Sequence, residues 1–156
     1  MSLKKYKEKR NFKKSPEPDG SGESRGKGGA GLAYAIQKHR ASRLHYDLRL
    51  EEGGALKSWA IPKEPPLKEG VRRLAVQTED HPLGYEDFEG VIPEGEYGAG
   101  KVEIWDRGIY LPLETKPGKR TVEIRGGKLK GRYGLIKLKD KEPDDKNWLF
   151  FKIKES

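Results

Sequence analysis

The chain of 156 residues is 33% hydrophobic and 37% charged, and it contains no cysteine. This length fits one domain with a single core, and the lack of cysteine excludes a disulfide framework and thiolate chemistry. No apolar run approaches the ~18 residues of a membrane helix, and the basic N-terminus has no apolar signal region, so we expect a soluble, cytoplasmic protein.

The basic charge is concentrated at the front of the chain. The net charge is +8, and residues 1–30 hold nine Lys/Arg against four Asp/Glu. Such an excess of positive charge favours an anionic partner, of which nucleic acid is the first candidate. The same excess is also explained if the lysines serve only to keep the protein soluble. The stretch from Ser15 to Ala30 is rich in Gly, Ser, Pro and charge. We therefore expect a flexible basic arm over 1–30 and a folded domain over 31–156.

After Gly31 the chain consists of short runs of β-branched, aromatic and alternating residues that are separated by turn signals. The runs are LAYAIQKH, LHYDLRLE, ALKSWAIP, RRLAVQTE, GKVEIWDRG, RTVEIRGGKLKGRYGLIKLK and NWLFFKIK. The segment YEDFEGVIPEGEYGAG is too rich in Gly and Pro for helix or strand and predicts a long structured loop. Seven or eight strands at short spacing predict an all-β antiparallel barrel or sandwich.

One of these runs, HYDLRLE, carries reactive side chains at every second position. Strand side chains alternate between the two faces, so His45, Asp47 and Arg49 project from one face, roughly 7 Å apart. The apolar residues between them project toward the core. An imidazole and a carboxylate can hold a divalent metal, and a neighbouring guanidinium can bind an anion such as phosphate.

The preceding histidine can complete a metal-binding set. The short turn RASR lets His39 fold back beside His45, so that His39, His45 and Asp47 form a two-His, one-carboxylate group. Such a group leaves coordination positions open, and its mixed N/O donors favour Mn, Fe, Co or Zn over Mg. A plain solvated face with a surface ion pair would show the same heptapeptide pattern.

The third histidine lies in a second polar cluster, TEDHPLGYEDFEG, which contains His81, Glu79 and Tyr85. Arg73 opens the strand that leads to His81. If that strand lies beside the strand of residues 45–51, the two clusters converge into a site for a metal and a phosphate.

Several contiguous segments resemble a known family. QKHRASRLHYDLRLE, LKSWAIPK, EDHPLGYEDFEGVIPEGEYGAGKVEIWDRG and NWLFFKIK closely resemble the 3′-phosphoesterase module of bacterial DNA ligase D and its free-standing relatives. The resemblance covers about residues 31–154. It implies a closed β-barrel with an apolar interior and an active-site groove on the outer surface. It also implies 3′-end healing: release of a 3′-terminal ribonucleoside, then removal of the 3′-phosphate to leave a 3′-OH.

The resemblance also implies a cofactor and residue roles. Manganese is the implied cofactor, with Co²⁺ or Zn²⁺ as alternatives. Three positions match the family's metal ligands: His39, His45 and Asp47. Three match the side chains that hold the scissile phosphate: Arg49, His81 and Tyr85. Two match further positions that contribute to activity: Arg73 and Glu79.

One position departs from the family pattern. An acid that assists the phosphodiester step is expected near the front, where this chain has Asn11, while the nearby Glu17 is in place. The balance between the diesterase and monoesterase steps therefore stays open. The implied partners are DNA or RNA 3′ ends and, in an end-joining system, a separate ligase and polymerase.

Two other functions fit parts of the pattern. A two-His, one-carboxylate set on a β-barrel is also typical of non-haem iron oxygenases, although the Arg, His and Tyr group suits phosphate better. A basic arm on a barrel also fits a non-catalytic nucleic-acid-binding protein.

Overall fold

The computed structural model describes residues 3–18, 31–139 and 145–154, and within these ranges the chain is almost entirely β-structure. The strands are β1 (Leu32–Arg40), β2 (Leu44–Glu52), β3 (Ala55–Ile61), β4 (Arg72–His81), β5 (Gly90–Ile92), β6 (Gly100–Lys116), β7 (Lys119–Gly126), β8 (Lys130–Lys137) and β9 (Asn147–Lys152). The helical elements are α1 (Lys4–Glu8) and a single 3-10 turn (Tyr85–Asp87). None of the described helices is long and apolar enough to cross a membrane.

The sheet closes into a barrel because β1 pairs on both of its edges. The strand order is β1-β2-β3-β4-β9-β8-β7-β6, and β6 pairs back with β1. The described strand pairs are all antiparallel, and β5 lies outside the closed ring as an extra partner of β6. Closure removes exposed sheet edges. The prediction of an all-β barrel of about eight strands is confirmed.

The barrel interior is filled by alternate residues of nearly every strand. On β2, Tyr46, Leu48 and Leu50 face inward and are buried, as the alternation predicts. Two tryptophans, Trp59 and Trp148, pack edge to face in the same cluster with ring centroids 5.5 Å apart. These tryptophans therefore anchor the core.

Two strand predictions need correction. The segment of residues 85–100, predicted as a loop, contains the 3-10 turn and β5. The run that was expected to end at Gly108 continues as β6 to Lys116, through Pro112. The register of β6 against β7 shifts between Pro112 and Glu114, and a bulge is a place where a strand tolerates proline.

Residues 3–18 of the predicted arm pack against the barrel. Tyr6 on α1 is fully buried, and Glu17 is also buried. Tyr6 packs edge to face against both His81 and Tyr85. The arm holds too little apolar surface to fold alone, but Tyr6 and the partly buried Phe12 pack it against the outer surface of the barrel. The remainder of the predicted arm, residues 19–30, lies outside the described residues.

A second apolar cluster lies on the outer face of the barrel. It joins α1 to the 3-10 turn and the start of β6, and its buried members are Tyr6, Leu56, Tyr85, Phe88, Ile92 and Val102. This outer cluster covers part of the face from which the polar side chains of β1 and β2 project. Gln37, His39, Asp47 and Arg49 are therefore buried, and His45 is partly buried, although they point away from the barrel interior.

Candidate active site

The register of β1 against β2 brings the first histidines together. His39 lies opposite His45, and Gln37 lies opposite Asp47, so all four side chains project from the outer face in two adjacent rows. The imidazole rings of His39 and His45 meet edge to face at 4.8 Å. The short turn between the strands therefore has the effect that the sequence predicted.

His39, His45 and Asp47 offer three ligand atoms to one point. These atoms lie within 4.8 Å of one another, and among the described residues this is the group that could hold a metal ion. Asp47 Oδ2 is 3.6 Å from His39 Nδ1 and 3.3 Å from His45 Nε2.

The second nitrogen of each histidine is fixed by a backbone carbonyl. His39 Nε2 donates to the Gly98 carbonyl at 2.7 Å, and His45 Nδ1 donates to the Arg43 carbonyl at 3.1 Å. A carbonyl oxygen can only accept, so in the neutral rings the lone pairs lie on His39 Nδ1 and His45 Nε2. Both lone pairs face Asp47. This is the orientation that a metal requires, with carbonyls holding the rings from behind.

Asp47 is ionised despite its burial. Burial favours the neutral acid, but the Arg49 guanidinium and the two histidines outweigh it and hold the pKa of Asp47 well below its usual range. For His45, burial lowers the pKa, yet the hydrogen bond and charge of Asp47 raise it overall. The carboxylate is thus charged and able to act as a metal ligand. The residues present fit a divalent transition metal.

Arg49 places a cation directly beside the metal-binding group. Its Nη2 atom is 3.6 Å from Asp47 Oδ2, and its Nε donates to Gln37 Oε1 at 3.0 Å. Gln37 in turn donates to the carbonyls of Tyr85 and Phe88. The guanidinium is therefore held in one orientation by buried hydrogen bonds.

His81 reaches the site across an intervening strand. The condition that its strand should lie beside residues 45–51 is not met, because β4 pairs with β3 and β3 pairs with β2. The outward residues at the middle of β3 are small, Ser58 and Ala60. Side chains from β2 and β4 therefore meet above them, with His81 Nδ1 3.2 Å from Arg49 Nη1.

His81 is a neutral imidazole between two arginines. Burial lowers its pKa well below the usual 6.5, and the charges of Arg49 and Arg10 lower it further. In the tautomer with the proton on Nδ1, the ring donates to the Glu79 carbonyl at 2.9 Å. Arg10 Nη2, which can only donate, lies 3.4 Å from Nε2. The Nε2 lone pair therefore faces a cation.

The N-terminal segment supplies a second cation and its counter-ions. Arg10 is buried, with Nε 2.9 Å from Glu17 Oε2 and Nη1 3.4 Å from Glu79 Oε1. Tyr85 donates to the same Glu17 oxygen at 2.5 Å. Burial raises the pKa of Tyr85 well above 10, and the Glu17 carboxylate raises it further, although the charge of Arg49 lowers it. Tyr85 is thus a protonated hydrogen-bond donor. Burial opposes ionisation of Glu79, but its backbone hydrogen bond and Lys9 outweigh burial and lower the pKa of Glu79.

These groups line one cavity of about 250 Å³ on the outer face. It contains seven of the eight side chains that the sequence analysis singled out: His39, His45, Asp47, Arg49, Glu79, His81 and Tyr85. The eighth, Arg73, lies elsewhere. It pairs with Phe150 near the opposite end of β4, roughly 25 Å along the strand from His81, and donates to the Glu64 carbonyl at 2.7 Å.

Sequence reasoning missed Arg10, Gln37 and Tyr97. Arg10 was counted as part of a solvated charge run, and only packing of the arm brings it to His81. Gln37 stands two residues before His39 in an alternating strand, so its place on the same face was a usable signal. Tyr97 lies in the glycine-rich segment next to Gly98, and nothing in that pattern pointed to it.

Asn11, the position that departs from the family pattern, does not line the cavity. Asn11 is exposed, and its side chain accepts a hydrogen bond from the Lys13 amide at 3.1 Å. Its carbonyl accepts from the amides of Lys14 and Ser15, so it begins a tight turn. That turn leads to Glu17, which does line the cavity.

Comparison with known proteins shows which protein family the chain belongs to. The sequence model of the family described as the DNA ligase D 3′-phosphoesterase domain matches residues 37–137. The chain therefore belongs to the family of DNA ligase D 3′-phosphoesterase domains, which places it among the phosphoesterases of DNA repair.

Individual relatives are similar in sequence to this protein over almost its whole length. The multifunctional non-homologous end joining protein LigD of Pseudomonas aeruginosa is 49% identical over 160 residues, which cover 98% of this chain and 19% of the relative. The LigD proteins of Mycobacterium tuberculosis and Mycolicibacterium smegmatis are each 44% identical, over 97% and 96% of this chain and 20% of each relative. The chain spans about a fifth of the length of these relatives.

Proposed function

We propose that the protein is a metal-dependent DNA 3′-end-healing phosphoesterase. It removes a 3′-terminal ribonucleoside and then the remaining 3′-phosphate, and it leaves a 3′-OH. The observation that carries this proposal is one cavity in which a two-His, one-carboxylate group adjoins two buried arginines. Family membership supplies the substrate class, since the family is one of 3′-phosphoesterases.

The arginines and the tyrosine bind and orient the phosphate. Arg49 and Arg10 line the same cavity on either side of His81, so an anion in that cavity meets two cations. Charge that builds on the phosphoryl oxygens in the transition state is stabilised there without reorganisation of the site. The hydroxyl of Tyr85, which donates to Glu17 in the free protein, adds directional binding if it turns from Glu17 to the phosphate.

His39, His45 and Asp47 would hold manganese, or another divalent transition metal. A metal bound there supplies Lewis-acid chemistry and lowers the pKa of bound water. The chain's own contribution is the orientation of the ligands by the carbonyls of Gly98 and Arg43.

His81 changes its protonation preference when phosphate binds. In the free protein the ring is neutral because it is buried between two cations. A phosphate dianion beside Arg49 and Arg10 offsets these charges and raises the pKa of His81. The ring then takes up a proton, which it can hold as a cation or donate to the leaving oxygen.

The remaining roles follow from position. Glu79 and Glu17 position Arg10. Arg73 lies outside the cavity, so it contributes to activity only if the substrate strand extends beyond the cavity and contacts it there. DNA or RNA 3′ ends are the substrates, and in an end-joining system a separate polymerase and ligase would use the product. With such substrates, the protein would act at the nucleoid in the cytoplasm.

The test uses a labelled primer–template with one 3′-terminal ribonucleotide, incubated with the protein and manganese. We expect the strand to shorten to a 3′-phosphate end and then to a 3′-OH end. EDTA and His45→Ala should abolish both steps, while Arg132→Ala, an exposed site on β8, should leave both unchanged.

Two outcomes count against the proposal in different degrees. If only a supplied 3′-phosphate is removed, the two-step activity is wrong and the monoesterase half stands. The variant Asn11→Asp then shows whether the missing acid is the reason. If neither ester is hydrolysed with any divalent transition metal, the proposal fails.

A further inference from the structure

A second, larger cavity adjoins the candidate active site. It encloses about 790 Å³ and lies between α1 and the end of β4. Three residues line both cavities: Thr78, Glu79 and Tyr97. The two cavities therefore share a wall, and an extended molecule can run from one into the other.

The second cavity presents cations to its occupant. Its basic lining residues are Lys4, Lys5, Lys9 and Lys146. The acidic groups in its wall are already matched, since Glu79 accepts from Lys9 at 3.2 Å and Asp80 lies 3.7 Å from Lys57, so the excess positive charge of the lining comes from Lys4, Lys5 and Lys146. Lys4 lies 3.8 Å from Glu8, an exposed pair that contributes little. The chemistry of the cavity therefore fits a chain of negative charges.

The shared wall holds a polar atom without a partner. Thr78 Oγ1 is buried and has no hydrogen-bond partner, one of two such side-chain atoms among the described residues. Buried hydroxyls are almost always hydrogen-bonded in folded proteins. An oxygen acceptor at the junction of the cavities satisfies this donor.

An aromatic ring stands at the same junction. Tyr97 is 48% exposed, and Lys9 Nζ lies 4.7 Å from its ring centroid. A base stacked on the ring would place its phosphate within reach of Lys9. Rings that adjoin a basic groove are the usual platforms for single-stranded nucleic acid.

We propose that this lysine-lined groove binds the nucleic-acid strand on the 5′ side of its reacting end. The lysines contact successive backbone phosphates, Thr78 donates to the phosphate at the junction, and Tyr97 stacks on a base near the end. The proposal rests on the proposed function for the position of the 3′ end. The groove defines the path of the nucleic-acid strand across the protein surface, which the proposed function leaves undefined.

The first test measures binding without turnover. The probe is a fluorescent single strand of about twelve nucleotides with a 3′-OH, the reaction product, in the presence of manganese. We expect Lys4→Ala/Lys5→Ala/Lys146→Ala to weaken binding at least tenfold and to reduce the slope of log affinity against log salt by about 2, since each phosphate contact contributes ~0.7. A dinucleotide probe should bind the variant and the wild type equally.

A matched control separates local contacts from overall charge. Lys68→Ala/Lys130→Ala/Lys154→Ala removes the same charge from exposed sites that line neither cavity. This control should keep the wild-type salt slope. Equal losses in the two triple variants, or no loss in the first, overturn the proposal.

The wall residues are tested one at a time. Thr78→Val should weaken binding of the twelve-nucleotide probe several-fold without lowering the Tm, because its hydroxyl has no protein partner to lose. Tyr97→Ala should weaken binding about tenfold, and Tyr97→Phe should not, because the ring provides the stacking surface. Unchanged binding in Thr78→Val and Tyr97→Ala overturns their assignment. Because these readouts need no hydrolysis, their failure is distinct from failure of the proposed function.

Discussion

At the scale of single residues, the site depends on cations that are buried next to a neutral histidine. Arg10 and Arg49 both lie within 3.4 Å of His81, and each is also held by another buried side chain. Arg10 is paired with Glu17 and Glu79, and Arg49 with Asp47, so the carboxylates hold both cations at the cavity before a substrate binds. A phosphate that enters the cavity therefore meets two guanidiniums that are already in place.

Removal of Arg10 should damage catalysis strongly. Arg10→Ala takes away one of the two cations that face the phosphate and leaves Glu17 buried without its partner. We expect kcat to fall about 10²-fold, the usual cost of one electrostatic contact to the transition state. Steady-state kinetics on a 3′-phosphate strand measures this. Arg125→Ala, an exposed arginine on β7, is the control, and an equal loss there would refute the assignment.

His81 should make stability depend on pH. Because its folded pKa lies below 6.5, the unfolded chain takes up a proton near that pH and the folded chain does not. The stabilisation is present above pH 6.5 and is lost as pH falls, by about 1.4 kcal/mol per unit at most. We expect denaturation curves at pH 7 and pH 5.5 to differ less for His81→Gln than for wild type. Parallel curves for the two proteins would contradict the buried neutral ring.

At the scale of elements, the N-terminal segment completes the site from outside the barrel. Among the described residues, the interior core begins with β1, so the barrel can fill its core without α1. The segment contributes Arg10 and Glu17 to the cavity. Its contacts with the rest of the molecule include Tyr6, which is fully buried and packs against His81 and Tyr85.

Truncation of Tyr6 should detach this segment. Tyr6→Ala removes a large buried ring, which costs about 3–5 kcal/mol in a rigid core. We expect the free energy of unfolding to fall by an amount at the low end of this range, because the segment can detach and no empty space then remains in a packed core. We also expect a near-complete loss of activity. Tyr6→Phe should cost only about 1 kcal/mol, for the hydrogen bond that Tyr6 donates to the Pro18 carbonyl. Urea titration and turnover measure the two effects, and Leu113→Ala, half exposed on β6, is the control. Full activity in a stably folded Tyr6→Ala protein would disprove the role of the segment.

At the scale of the whole molecule, the candidate metal site joins distant parts of the chain. His39 and His45 come from β1 and β2, and the carbonyl that orients His39 comes from Gly98, 59 residues further on. A ligand that binds only the folded arrangement stabilises the entire fold. Metal binding is therefore visible as thermal stability, independently of catalysis.

Manganese should raise the Tm of the wild-type protein. At a free concentration near 100 times Kd the stabilisation is about 2.7 kcal/mol, which corresponds to roughly 5–10 °C for a domain of this size. EDTA should reverse the shift, and His45→Ala should not show it. Arg132→Ala should behave as wild type. An equal shift in His45→Ala would mean that the metal binds elsewhere.

The sequence by itself determined the strands and the local part of the site. Alternation within HYDLRLE placed His45, Asp47 and Arg49 on one face, and the short turn before it placed His39 opposite His45. Both inferences hold because the two-residue period of a strand and the reach of a tight turn are local properties. For the same reason the bounds of β1 to β4 agree with the runs read from the sequence.

Only the tertiary structure decided which distant residues join that site. Arg10 and Glu17 enter it because Tyr6 docks on a surface made by β3, the 3-10 turn and β6, which no local pattern encodes. His81 reaches Arg49 because the residues between them on β3 are small, whereas Arg73, on the same strand as His81, points to another part of the surface. These outcomes depend on strand order, barrel closure and side-chain volume, which arise from the packing of the whole chain.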